Sequence, residues 1–174
     1  DVIVDGTLGI VQVTPDAIAI AQHTAAVAAG AQARSSRPER IGTTTRDGHP
    51  VQVLANARSR EDVALAVQGG AAGIGLFRVE PVYLASKHLP TAAQFASFLE
   101  DALAPAGRLR VNLRLLDIGA DKNPSYLPLP IEPDPFLGLR GIRVLLRYPN
   151  LLDAQLEAML TLSQRFDLGI LIPM

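Results

Sequence analysis

Short apolar runs separated by mixed segments fill most of the chain, but the opening follows a different pattern from the rest. Val2 to Val4 and Ile10 to Val13 are β-rich runs on either side of Asp5-Gly6-Thr7-Leu8-Gly9, which has hairpin turn chemistry, so a small β element is predicted. From Pro15 to about Ala33 alanine dominates, with Ile18, Ile20 and Val27 as the larger apolar residues. This composition and its proline start predict a helix, weakened near its end by Gly30. Arg34-Ser35-Ser36-Arg37-Pro38-Glu39-Arg40 is polar and broken by proline, and predicts a linker.

Beyond Asp47-Gly48 strands and helices alternate. Val51 to Ala55 predicts a strand, and Ser59-Arg60-Glu61-Asp62 a capping box opening a helix that Gly69-Gly70 ends. Ala72 to Phe77 is the next strand, and Thr91 with Gln94 caps a helix reaching about Ala104. Arg110 to Leu116 is the third strand. After a Pro-rich excursion, Leu137 to Leu146 and Asn150 to Phe166 predict helices, the second with Leu152, Leu156, Met159, Leu160 and Phe166 along one stripe. Gly169 to Ile172 is a fourth strand. Apolar strands each followed by helix or by the chain end argue for βα units and a parallel α/β sheet. A doubly wound sheet and a (β/α)8 barrel both fit this pattern. A whole barrel needs about 250 residues, and residues 47–174 supply about half of one.

Composition narrows the function classes. Hydrophobic residues make up 48% and charged residues 19% of 174, and no apolar run approaches the length of a membrane span, so membrane insertion is not expected. A net charge of -1 and 5% aromatic residues give no general pull toward nucleic acid, so an anion site has to be local. Without cysteine the chain has no disulfide, thiolate metal site or thiol nucleophile, which is compatible with a reducing cytoplasm. Asp1 to Gly6 does not have the form of a signal peptide, and Ile170-Leu171-Ile172-Pro173-Met174 reads as a strand with no turn after it. A piece of a longer protein is therefore expected.

Three segments can carry chemistry. Gly73-Ile74-Gly75-Leu76-Phe77-Arg78-Val79-Glu80 delivers Arg78 and Glu80 just past the carboxyl end of a strand, where parallel α/β folds build their sites. Arg114-Leu115-Leu116-Asp117-Ile118-Gly119-Ala120-Asp121-Lys122 repeats that placement on the next strand. Two guanidinium forks facing one cavity suit a ligand with several anionic oxygens, with Asp117 and Asp121 holding the forks and Lys122 adding a point charge. In Glu132-Pro133-Asp134-Pro135-Phe136-Leu137-Gly138-Leu139-Arg140-Gly141-Ile142-Arg143, Arg140 and Arg143 are spaced to share one helical face. The plain alternative for each segment is a surface ion pair or a solvated helix face. His23, His49 and His88 show no metal-site or triad spacing and are read as structural. Walker and dinucleotide glycine loops are absent.

Together these segments resemble the phosphoenolpyruvate-utilising enzymes, and within them the phosphoenolpyruvate-protein phosphotransferases (Enzyme I) of bacterial sugar phosphotransferase systems. The resemblance also takes in Asp5-Gly6, Gly9-Ile10-Val11, Pro15, Ala55-Asn56, Leu89-Pro90-Thr91, Gln155-Leu156 and Ile172-Pro173-Met174. It implies that residues 1–16 are the tail of a swivelling phosphohistidine domain, 17–46 a helical linker, and 47–174 the N-terminal half of a phosphoenolpyruvate-binding (β/α)8 barrel. Arg78 and Arg114 fall on the family's phosphate-gripping arginines and Arg140 on a further arginine of the site, with Lys122 a weaker match. No catalytic residue and no metal ligand is expected in this segment.

The implied activity moves phosphate from phosphoenolpyruvate to a histidine, assisted by Mg²⁺ whose ligands are expected outside this chain, and then to a small carrier protein for sugar uptake. The implied setting is cytoplasmic, with the full protein a homodimer and this segment inactive alone. Val79 stands where the family has Thr, Pro81 where it has Phe, Ala92-Ala93 replaces an acidic run, and Pro133-Asp134-Pro135 replaces Glu-Asn-Pro. These departures leave two alternatives: a paralogue such as a multiphosphoryl transfer protein, or a non-catalytic module that senses phosphoenolpyruvate or serves docking and dimerisation.

Overall fold

The computed structural model describes residues 1–35, 43–122 and 124–174. Two units are distinguished, Asp1–Ile41 and Gly42–Met174.

In the first unit, strands β1 (Val2–Asp5) and β2 (Ile10–Val13) pair antiparallel, with Val2 opposite Val13 and Asp5 opposite Ile10. The Asp5 carboxylate accepts the amides of Thr7 and Leu8, and Gly9 takes a left-handed φ of 68°, which closes the predicted hairpin. Helix α1 spans Ala17–Ser35. It begins two residues after Pro15 because the Asp16 carboxylate accepts the Ala19 amide and so acts as the cap. Of the predicted break at 34–40, Arg34 and Ser35 belong to α1, and residues 36–40 lie outside the described residues.

The second unit is a four-stranded parallel sheet in chain order: β3 (Leu54–Ala57), β4 (Gly73–Arg78), β5 (Val111–Arg114) and β6 (Leu168–Leu171). Helices α2 (Arg60–Gln68), α4 (Ala92–Leu103) and α6 (Pro149–Leu162) pack side by side along it, with α3 (Glu80–Ala85) and α5 (Ile142–Arg147) as short insertions at strand exits. The core lies between sheet and helices. Ile74, Phe77, Val111 and Leu113 from the strands meet Val63, Phe95, Leu99, Val144 and Met159 from the helices, all with no exposed surface. Close strand approach explains the glycines of β4, since a Cβ on Gly73 would lie 2.8 Å from the Arg110 carbonyl and one on Gly75 2.8 Å from Leu54 Cβ. Among the described residues no helix is long and apolar enough to cross a membrane.

Several predicted boundaries move. The first sheet strand is Leu54–Ala57 rather than Val51–Ala55, because Val51 donates its amide to the Thr43 carbonyl and Pro50 bridges Thr44, tying both to the preceding turn. The predicted helix from Leu137 is confined to Ile142–Arg147, because residues 135–139 form turns and Gly141 takes a φ of 55°. Arg140 and Arg143 therefore share no helical face. On α6 the buried face is Leu151, Gln155, Ala158, Met159 and Leu162, rotated from the predicted stripe so that Leu160 is exposed. Helix α3 is not among the predicted elements. Pro81 occupies its first turn, where the missing amide costs no hydrogen bond.

Candidate anion-binding site

Successive side chains on a strand point to opposite faces, so one row of residues at the strand exits fixes what the cavity receives. Phe77 and Leu113 pair across β4 and β5 and are buried among the helices, and the next pair, Arg78 and Arg114, stands on the opposite face. Both arginines line a cavity of about 280 Å³ at the carboxyl ends of the strands. Arg140, arriving on the segment after β5, and Lys122 line the same cavity, so the structure brings together all four residues singled out from sequence.

Carboxylates hold two of the forks in place. Glu80 Oε1 accepts from Arg114 at 2.8 Å and from the Asp117 amide at 3.1 Å. Asp117 spans two arginines, with Oδ2 3.2 Å from Arg114 and Oδ1 2.9 Å from the Arg140 Nε, and Asp121 takes a second nitrogen of Arg140 at 3.1 Å. Asp117 thus holds Arg114 as expected, whereas Asp121 holds Arg140 and neither strand-exit arginine, and Glu80 joins Asp117 on Arg114. The Arg140 guanidinium also stacks over Phe136, 5.0 Å from the ring centre. In this mostly screened setting charge-assisted bonds fix side-chain orientation more firmly than exposed pairs do.

Arg78 has a different environment. No carboxylate lies within ion-pair distance of it among the described residues, nor of Lys122, which extends from an exposed turn. The Nε atoms of Arg78 and Arg114 and the Oε2 of Glu80 are buried without a hydrogen-bond partner among the described residues. Unused buried donors are costly, and those of Arg78 and Arg114 add to the positive character of this cavity. Pro81, Leu84 and Ile118 supply its apolar wall. Its polar lining among the described residues consists of guanidinium, ammonium and carboxylate groups, an arrangement able to grip and orient an anionic ligand.

Carboxylates committed in this way do not fit Mg²⁺: both Asp117 oxygens and one of Glu80 are engaged by arginine or amide, and no cluster of three metal-ligating side chains occurs among the described residues.

Other candidates fall away from the cavity. Arg143 donates to the Leu137 and Gly138 carbonyls at 2.7 Å each and braces that turn. His49 sits on an exposed turn near Asp47, His88 lies in the α3–α4 loop, and His23 is on α1. Val79 is wholly buried in the core, whereas Pro81 is part of the cavity wall. A wider groove of about 510 Å³ beside α4 is lined by charges already paired, Arg165 with Glu100, and Asp101 with Arg60.

One lining residue escaped the sequence reading. Arg58 directly follows β3, and the signal that finds it is an arginine immediately past the last core residue of each of three successive strands: Ala57-Arg58, Phe77-Arg78 and Leu113-Arg114. A first strand at Val51–Ala55 puts Arg58 in the loop before Ser59, out of line with Arg78 and Arg114, whereas a strand at Leu54–Ala57 puts it at the strand exit.

Residues 32–174 match the family model described as PEP-utilising enzyme, PEP-binding domain. The chain is similar to a multiphosphoryl transfer protein of Xanthomonas campestris pv. campestris, 38% identical across 99% of this chain and 21% of that protein. It is also similar to phosphoenolpyruvate-protein phosphotransferases of Haemophilus influenzae, 44% identical across 75% of this chain and 23% of the relative, and of Geobacillus stearothermophilus, 38% across 99% and 30%. The chain thus spans between a fifth and a third of the length of these curated relatives.

Proposed function

The chain belongs to the PEP-utilising enzymes and carries their PEP-binding domain, and from that premise we propose that it is the substrate-gripping part of a phosphoenolpyruvate-protein phosphotransferase. The observation that carries this reading is the register pair Arg78 and Arg114, two guanidinium groups side by side at the exits of neighbouring parallel strands, each with a buried Nε left over for a ligand. Phosphoenolpyruvate offers three phosphate oxygens and a carboxylate, which matches the excess of cations over carboxylates around the cavity.

In the proposed reaction an imidazole nitrogen belonging to another part of the full protein attacks phosphorus. The new N–P bond forms as the enol C–O–P linkage breaks at phosphorus, and the departing enolate is protonated to pyruvate. Arg78 and Arg114 hold the phosphoryl oxygens and stabilise charge spread over them during transfer, Arg140 adds to the grip on the same anion, and Lys122 adds a long-range attraction. The phosphate then passes to a small carrier protein serving sugar uptake. Mg²⁺ would be held by residues elsewhere in the full protein, which we place in the cytoplasm as a homodimer.

The four parallel strands run in chain order without reversal, and Ile170, Leu171 and Ile172 at the β6 edge are exposed. Both features support reading residues 47–174 as the first half of a (β/α)8 barrel, preceded by the tail of a phosphohistidine domain and a helical linker. Similarity to a multiphosphoryl transfer protein along 99% of the chain supports a second reading of the parent, in which carrier domains are fused to the same core.

Transfer of labelled phosphate from phosphoenolpyruvate in the full-length protein tests the assignment. Arg78→Ala and Arg114→Ala should each lower kcat/KM by roughly a hundredfold or more, as loss of a preorganised charge-stabilising donor does. Transfer by both variants at the unmodified rate would overturn it.

A further inference from the structure

We propose that Arg58 is a third strand-exit arginine of the site and binds an anionic oxygen of the same ligand. This assignment rests on the reading of the cavity as a phosphoenolpyruvate site and adds to it a binding residue outside the Gly-Ile-Gly-Leu-Phe-Arg and Arg-Leu-Leu-Asp segments. Across the sheet Ala57 is registered with Phe77 and Phe77 with Leu113. All three are fully buried on the helix side. The next residue on each chain is Arg58, Arg78 or Arg114, so one row across three parallel strands delivers three guanidinium groups to the opposite face, and all three line the cavity.

The backbone at Arg58 is anchored. The Ser59 hydroxyl accepts the Asp62 amide at 3.2 Å, as expected of a capping box, but the return arm differs: Asp62 Oδ2 accepts the Arg58 amide at 3.0 Å. The carboxylate thus holds the main chain of Arg58 and leaves its guanidinium uncommitted. Two residues on, Arg60 points away and pairs with Asp101 at 2.9 Å. Among the described residues no carboxylate lies within ion-pair distance of Arg58, whereas Arg114 and Arg140 are already shared with Glu80, Asp117 and Asp121. Arg58, Arg78 and Lys122 are therefore the cations with charge to spare, and Arg58 has the planar fork that suits a phosphate or carboxylate.

Titration calorimetry of the full-length protein with phosphoenolpyruvate tests the assignment, using Arg58→Ala, Arg58→Lys, Arg78→Ala and the neighbouring control Arg60→Ala. Arg58→Ala should weaken binding roughly tenfold, the scale of one charge-assisted hydrogen bond at a partly solvated site. Arg58→Lys should recover part of the loss by charge alone, and Arg60→Ala should match the unmodified protein. Repeating the series with inorganic phosphate and with pyruvate shows which end of the ligand Arg58 meets, because only the probe carrying that group should lose affinity in Arg58→Ala. Binding that depends on Arg78 and is indifferent to Arg58→Ala overturns the assignment while leaving the site intact. Absence of phosphoenolpyruvate binding in the unmodified protein overturns both, and an equal loss in Arg60→Ala would mean that the loop's fold, and not the Arg58 fork, is at work.

Discussion

Tyr83 shows how much a single side chain can cost without serving the site. Its ring is buried against Phe95, with centroids 5.3 Å apart, and its hydroxyl has no hydrogen-bond partner among the described residues. Burial pushes its ionisation well above the ordinary phenol value, with Tyr126 nearby adding to the rise, and burial raises Tyr126 as well. The folded chain therefore keeps protons that an unfolded chain releases near pH 10. This contribution to stability is complete below that value and declines as pH rises past it. Tyr83→Phe should change the urea midpoint little at pH 7 and flatten the loss of stability between pH 9 and 11. A variant whose midpoint falls in parallel with the unmodified protein would contradict this.

The arginines were legible as residues because each ends an apolar strand or sits in a distinctive local segment. Gln155 was legible only as part of a resemblance. Its reason is physical: fully buried on α6, its carbonyl accepts the Leu116 amide at 2.8 Å and its amide donates to the Leu151 carbonyl, satisfying the backbone just before Asp117. A buried polar residue of this kind interrupts a hydrophobic stripe, so the apolar pattern alone points to a face of α6 rotated by part of a turn from the buried one.

Among the elements, those read most accurately carry their own punctuation. Thr91 accepts the Gln94 amide at 3.3 Å and Gln94 returns to the Thr91 amide at 3.0 Å, so α4 starts where its capping box says. Thr91→Ala should destabilise the protein by about 1 kcal/mol, read as a lowered denaturation midpoint with phosphoenolpyruvate affinity unchanged; an unaltered midpoint would refute the cap's contribution. Elements whose limits depend on tertiary partners were misplaced. The start of β3 is set by Thr43, Thr44 and Pro50 pairing across a turn, and the short α5 by Gly141 and the Arg143 brace on the Leu137 and Gly138 carbonyls. Nothing local in Val51-Gln52-Val53 distinguishes a turn-bound extended segment from a sheet strand. Arg58 is recognisable as a site residue only once β3 ends at Ala57, because a site at strand exits is legible only where the exits are.

For the molecule as a whole, the alternation of strand and helix made a parallel α/β sheet legible, whereas periodicity alone left doubly wound and barrel closures equally open. The sheet keeps two open edges, at β3 and β6, and exposed apolar residues cluster there: Val51, Val53 and Leu54 on one side and Ile170, Leu171 and Ile172 on the other. Unpaired strand edges with apolar side chains recruit further chain. A polypeptide limited to these 174 residues should therefore self-associate, seen as concentration-dependent mass in light scattering; a monomer that melts cooperatively at all concentrations would argue against a half-barrel. The most direct test is a crystal structure of the full-length protein with phosphoenolpyruvate. Phosphate oxygens should lie within hydrogen-bonding distance of Arg78 and Arg114, in the cavity walled by Pro81, Leu84 and Ile118. Ligand density seated elsewhere, with this cavity left to water, would contradict it.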